Sequence, residues 1–377
     1  MKTGVGRRRF IATAAATGVL VAGTARGEDA PSAATPTPDV IWRLTSSFPK
    51  SLDLMFGGAE TFARVVGDLT GGRFRIDVLA PGDAVSGLQA LDAVQAGTVE
   101  ACHTSMDYFY GKDPTFALAT AIPFGLNARG QAAYAYEGGG NDLFNEFLGG
   151  YGVLAFPAGN TGAQMGGFFR KPVKSVADLQ GLKIRIGGLA GKVLQQLGAI
   201  PQATPRADLY TALDQGTIDA ATWVSPYDDD RLASDEKTAL QKVAPNYYYP
   251  GWWRGGSVIH VAFNKAKYEA LPAPFRAALK AAAMTANTEM LARYDARNPA
   301  ALKRLVVSGA QLRAFPQDVL EAAFKTTNDV LHDIADGNPH FKAVLDSTVN
   351  FRSEEYLWWQ VGEYTFDNFM IRQRAKG

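Results

Sequence analysis

Arg185 stands in the run Gly181-Leu-Lys-Ile-Arg-Ile-Gly-Gly188. A guanidinium is permanently charged, and its planar fork matches a carboxylate or a phosphate. Such a residue can hold an anionic ligand, or it can make an ordinary ion pair on the surface, and this stretch alone leaves both readings open. Other candidate chemistry is thinner. Asp228-Asp229-Asp230 offers three carboxylates, but without a glycine turn or a distant glutamate the run reads as a solvated helix start rather than a cation loop. The four histidines (His103, His260, His332, His340) show no metal-ligand spacing, and a lone Cys102 excludes cysteine-based zinc or iron–sulfur sites within one chain. Gly138-Gly-Gly140 and Gly187-Gly188 lack the spacing of a nucleotide-binding loop. No nucleophile beside a base is visible.

The elements around Arg185 place it. Leu182, Ile184 and Ile186 alternate with Lys183 and Arg185, which predicts a half-buried strand. Two glycines end it, and residues 189–197 read as a helix. Arg185 then sits at the carboxyl end of a strand entering a helix, where open α/β sheets bind ligands. Elsewhere strands are expected over 40–47, 74–79, 99–105, 165–170, 220–224, 257–263 and 311–315. Helices are expected over 52–69, 85–96, 208–215 and 317–336, with a long helical region from Pro274 to Val307 interrupted at Pro299. This alternation predicts an α/β fold with two doubly wound lobes.

An internal echo supports two lobes. Residues 93–101 (AVQAGTVEA) align with residues 212–220 (ALDQGTIDA), and in each a helix ends at a glycine before an apolar strand. Chance similarity of two such turns is the other reading. If the repeat holds, His103 and its neighbours enter a shared crevice from one lobe, with a structural hydrogen bond as the plainer role for His103. Residues 221–224 enter from the other. The division expected is 40–158 with 257–350 as the first lobe and 159–256 as the second. Residues 351–377 are then a C-terminal helix rich in aromatics, suited to packing on its own domain or to a homodimer contact.

At 377 residues, 47% hydrophobic and 20% charged, the chain is long enough for two cores. Its first 27 residues carry five positive charges and no acid. The remaining 33 basic residues face 37 acidic ones, which speaks against nucleic acid as a partner. Arg7-Arg8-Arg9-Phe10-Ile11 and the weakly apolar run after it fit a twin-arginine signal over 1–27, and 28–39 a disordered linker. The location expected is the periplasm.

Seven motifs, in order, give the chain a family likeness: Ser46-Ser-Phe-Pro-Lys-Ser51, Tyr108-Phe-Tyr-Gly-Lys-Asp-Pro114, Ile122-Pro-Phe-Gly-Leu126, Gly159-Asn-Thr-Gly-Ala-Gln-Met-Gly-Gly167, Lys183-Ile-Arg-Ile-Gly-Gly188, Trp223-Val-Ser-Pro-Tyr-Asp228 and Tyr247-Tyr-Tyr-Pro-Gly-Trp252. With them the chain resembles the solute-binding proteins of tripartite ATP-independent periplasmic (TRAP) transporters, in the branch that binds 2-oxo acids and related monocarboxylates. The resemblance implies a receptor that delivers a small organic acid to TRAP membrane subunits. It implies that Arg185 holds the ligand carboxylate, that Gln164 touches the ligand, that Trp223 lines the same place, and that Tyr108 and Asn160 lie at the cleft.

Two positions depart from that branch. Thr222 stands where a cation-binding carboxylate is usual, and Arg254 where a glutamate is usual. A bound sodium or calcium ion is common in the branch, but a hard cation wants anionic oxygens. No metal or other cofactor is therefore expected here, and the Arg254 guanidinium is expected to take the cation's space and supply its charge. An exported enzyme acting on a small carboxylate is the alternative function.

Overall fold

The protein is described by a computed structural model over residues 39–232 and 236–374, so the expected export signal and most of the expected linker lie outside the described residues. β1 (Val40–Ser46) buries Trp42 and Leu44 and exposes Ile41 and Arg43, the alternation of a half-buried strand. After α1 (Asp53–Leu69), β2 (Phe74–Leu79) pairs parallel with β1, with Trp42 opposite Ile76. The next helix, α2 (Ala90–Gln95), is shorter than its sequence pattern because residues 87–89 form a 3-10 turn, where Ser47 Oγ donates to the Gly87 carbonyl at 2.7 Å. β3 (Ala101–Thr104) joins the other side of β1. Helices α3 (Thr115–Thr120), α4 (Ala128–Tyr136) and α5 (Gly140–Gly149) then lead into β4 (Val153–Asn160).

Residues 161–166 carry the chain to a second sheet. It contains β5 (Gly167–Phe169), β6 (Lys183–Arg185) with α6 (Gly188–Gln196), β7 (Ile200–Gln202), and α7 (Leu209–Gln215) with β8 (Ala220–Ala221); the short α8 (Pro226–Asp230) leads on to β9 (Asn246–Tyr249). Residues 250–257 return to the first sheet through β10 (Val258–Asn264). After α9 (Lys265–Glu269) comes the 35-residue α10 (Ala273–Val307), then β11 (Gln311–Ala314), α11 (Gln317–Gly337), α12 (Pro339–Val361) and α13 (Glu363–Arg374). The first sheet has the order β2-β1-β3-β10-β4, with β10 antiparallel to both neighbours. The second has the order β11-β9-β5-β8-β6-β7, with β5 antiparallel to both of its neighbours.

α10 joins the two lobes. Its Phe275, Leu279 and Ala282 pack with Trp42 and Phe74, Met290 and Tyr294 pack with Phe48 and Val224, and Leu305 packs with Tyr247. The expected break at Pro299 is absent. Pro299 lies on the exposed face, where water can satisfy the Asp295 carbonyl that it leaves unpaired. The assignment of 257–350 to the first lobe also fails in part. β11 pairs with β9 in the second sheet, and Val319, Ala323 and Val330 of α11 join the core around Ile184 and Tyr248. α12 then returns to pack on α3, α4 and α5. The spanning helix had already carried the chain across, so the ladder partner open to β11 was in the second sheet.

Asp228 and Asp229 are not a solvated helix start. They are 3% and 4% exposed, and each accepts a hydrogen bond from a buried phenol, Tyr294 and Tyr247 respectively. Asp230 pairs with Arg304 of α10. These carboxylates therefore fasten α8 to α10 and β9.

Candidate ligand-binding cleft

Between the lobes lies a cleft of about 510 Å³. The carboxyl ends of both sheets open on it, as the internal repeat implies. Gly97 and Gly216 both take left-handed conformations (φ +72° and +73°), and Val99 N and Ile218 N donate to the equivalent carbonyls of Ala93 and Ala212. The strands that follow deliver Ser105, Asp107 and Tyr108 from the first lobe, and Thr222, Trp223 and Val224 from the second. Phe48, Leu52 and Met55 form an apolar wall beside them. At one edge Tyr227 donates from α8 to Asp53 Oδ2 at the start of α1, at 2.8 Å, with Arg231 and Arg297 also paired to Asp53. This contact ties the second lobe to the first.

Arg185 reaches the cleft from the end of β6. Its Nη1 donates to the Thr222 carbonyl at 2.9 Å, and its guanidinium lies 4.9 Å from the centroid of the Trp223 ring. Thr222 returns the hold, donating from N (3.1 Å) and Oγ1 (3.2 Å) to the Arg185 carbonyl. The arginine is thus fixed by backbone and ring, while none of the salt bridges among the described residues includes it. Burial lowers its pKa from the ordinary arginine value, and the charge of Arg254 pulls the same way. It is a desolvated cation short of an anion. The Trp223 indole Nε1 is buried and has no protein acceptor.

Gln164, on the first crossover, donates from Nε2 to Thr161 Oγ1 (3.0 Å) and Ser257 Oγ (3.1 Å). Arg254, on the second crossover, donates to Ser257 Oγ at 2.8 Å and to Asp107 Oδ2. Of the residues picked from the sequence, Arg185, Gln164, Trp223, Thr222, Arg254 and Tyr108 line the cleft. Asn160 does not. It is 2% exposed, accepts from Gly162 N and donates to Gln131, so it shapes the crossover behind the cleft. His103 is also absent from the lining. It lies in the core between Gly58 of α1 and Phe48, and burial, helped by the nearby His260, pushes its pKa down to about 3. Asp107 is the charged lining residue the sequence reading missed. Its place just beyond the carboxyl end of β3 was the signal available.

The expectation for Arg254 needs correcting. Its charge is answered by Asp107 rather than left to stand in for a cation. Among the lining residues the charged groups are Arg185, Arg254 and Asp107, which together leave one net positive charge.

A family model described as bacterial extracellular solute-binding protein, family 7 (DctP) matches residues 45–338. A monocarboxylate 2-oxoacid-binding periplasmic protein of Nostoc sp. is 46% identical over 366 residues, covering 96% of this chain and 98% of that one. A TRAP transporter solute-binding protein of Bordetella bronchiseptica is 41% identical, covers 90% of this chain and 99% of its own, and superposes with a TM-score of 0.84. Its crystal structure is a mixed-occupancy dimer, with copurified calcium and picolinate in one active site and the other apo. A counterpart from Pseudoalteromonas atlantica, with bound sodium and pyruvate, is 34% identical with a TM-score of 0.80, covering 87% of this chain and 98% of that one.

The donor set of this cleft does not fit a hard cation. Asp107 is its one lining carboxylate, and its oxygens are already engaged by Ser105 Oγ (2.6 Å) and by Arg254. Among the described residues no group of three or more acidic, histidine or cysteine side chains could hold a metal ion.

Proposed function

The chain belongs to the bacterial extracellular solute-binding proteins of family 7, and from that premise we propose that it is a TRAP receptor for small 2-oxo monocarboxylates, held without a bridging cation. One observation carries the reading: Arg185 is half-buried, fixed by Thr222 and Trp223, and paired with no acid among the described residues. A carboxylate entering the cleft supplies the missing charge and can accept two hydrogen bonds from the guanidinium fork. Phe48 and Met55, on the apolar wall of the cleft, exclude water from the pair. The ligands of the Nostoc, Bordetella and Pseudoalteromonas proteins point to the same chemical class.

The receptor works in the periplasm, delivers its acid to TRAP membrane components, and reaches its compartment by the twin-arginine route; Arg7-Arg8-Arg9-Phe10-Ile11 supports that last point. It pairs as a homodimer through the C-terminal helices. The apolar side chains exposed there and the dimeric Bordetella relative support this.

Calorimetric titration with pyruvate tests the reading. Binding is expected in the wild type, with a loss of at least about 30-fold in Arg185→Met, because truncating one partner of a buried charge pair costs roughly 2–5 kcal/mol. Affinity is expected to stay within about twofold after EDTA treatment and in sodium-free buffer, well under the tenfold that 1.4 kcal/mol represents. Full affinity in Arg185→Met would overturn the carboxylate site. Collapse on chelation would overturn the cation-free part alone.

A further inference from the structure

A carboxylate is an unfavourable group to place in a cavity meant for an anion, yet Asp107 is built into this one. Its Oδ1 accepts from Ser105 Oγ at 2.6 Å, its Oδ2 accepts from Arg254 Nη2, and its backbone N–H donates to Thr120 Oγ1 at 3.1 Å. Its side chain is only 13% exposed. Held at three points, it has no ready way to turn aside for an incoming acid. Its effect falls on Arg254, which meets the cleft already neutralised and tied to Ser257 as well. Arg185, by contrast, spends its one bond within the protein on an uncharged carbonyl. The two arginines are therefore unlike. One is an unanswered cation, and the other is a polar donor whose charge is cancelled.

We propose that Asp107 is a specificity-determining residue that restricts this cleft to monoanions. The first carboxylate of a ligand pairs with Arg185. A second carboxylate that extends toward Arg254 meets no net positive charge there, because Asp107 has already paired with that guanidinium, and it gives up its hydration without gaining a partner. The N–H groups that Arg254 does not spend on Asp107 and Ser257 still suit a neutral oxygen, such as the keto or hydroxyl group next to a single carboxylate. The inference rests on the receptor reading given above. It adds the group that turns dicarboxylates away.

The test uses two stable acids that differ only at the far end, 2-oxovalerate (methyl) and 2-oxoglutarate (carboxylate), titrated calorimetrically at fixed ionic strength into the full mature chain. The wild type is expected to favour 2-oxovalerate by at least about 30-fold, the scale of leaving a charge without a partner in a binding site. Asp107→Asn keeps the side-chain size and removes the charge. It is expected to narrow that ratio by about tenfold or more, mainly by tighter binding of 2-oxoglutarate. Arg254→Gln leaves the Asp107 charge unanswered, and is expected to weaken both acids and widen the ratio.

A wild type that binds both acids equally would overturn the proposal. So would an Asp107→Asn protein that binds 2-oxovalerate with an unchanged ratio; in both cases the receptor reading survives. Binding of neither acid, nor of pyruvate, to the wild type would overturn the receptor reading itself. If Asp107→Asn fails to fold, as judged by its melting curve, the Arg254→Gln ratio decides, and a ratio no wider than in the wild type overturns the proposal.

Discussion

Asp228 and Asp229 show what burial does to single side chains. Burial pushes Asp228 up to about 6 and Asp229 up to about 7, against the hydrogen bonds from Tyr294, Tyr247 and Val224 N that favour the charged forms. Asp228 faces the charges of Asp53, Arg231 and Arg206, and Asp229 faces that of Asp228. An unfolded aspartate titrates near 3.9. The folded state therefore holds these protons more tightly, and their stabilisation is complete below about pH 4 and lost as the pH rises through 6 to 7. The melting temperature is expected to fall between pH 5 and pH 8, and Asp229→Asn is expected to flatten that fall. Thermal melts across the pH series read the difference, and an unchanged slope in the variant would assign the titration to another group. Arg185 was legible in the sequence because strand alternation and a glycine stop are local signals. The state of the aspartates was not, because their tyrosine partners come from 18 and 66 residues away.

At the scale of elements, the short strands β5 and β8 hold the cleft in register. Gly167 has φ +87°, and a Cβ there would come within 2.3 Å of the Ala221 carbonyl oxygen and 2.9 Å of Thr222 Cα. Those atoms are backbone and cannot rotate away, and a left-handed conformation by itself costs a β-carbon about 1–2 kcal/mol. Gly167→Ala is expected to lower stability by more than about 2 kcal/mol in urea unfolding. Pyruvate affinity should fall in parallel, because the segment pushed aside carries Thr222 and Trp223. The repeated helix–glycine–strand turns were readable as a nine-residue pattern, since glycine in the left-handed region is a local requirement. The sequence reading of β8 as residues 220–224 was too long. Only Ala220 and Ala221 pair, and the chain then leaves the sheet to present Thr222 and Trp223 to the cleft.

At the scale of the whole molecule, the end of α12 and all of α13 stand out as poorly buried. Trp358, Val361, Tyr364, Phe366, Phe369 and Ile371 are each more than half exposed, while Trp359 packs inward. Aromatic and aliphatic area of this kind is stabilised by covering it. In the proposed homodimer a second copy covers it. The mature protein is expected to sediment as a dimer, and deletion of residues 363–377 to leave a monomer with unchanged pyruvate affinity. A mature chain that sediments as a monomer at micromolar concentration would remove the homodimer from the proposal.

The sequence by itself determined the alternation of strands and helices, the placement of Arg185 at a strand end, and the ordered motifs that gave the family resemblance. Each of these depends on neighbours within a few residues, through side-chain periodicity and turn chemistry. Only the tertiary structure decided that β11 and α11 join the second lobe, that His103 turns into the core, and that Asp107 cancels the charge of Arg254 from 147 positions away. Burial and charge balance depend on which distant segment arrives beside a group, and the chain's local pattern carries no record of that.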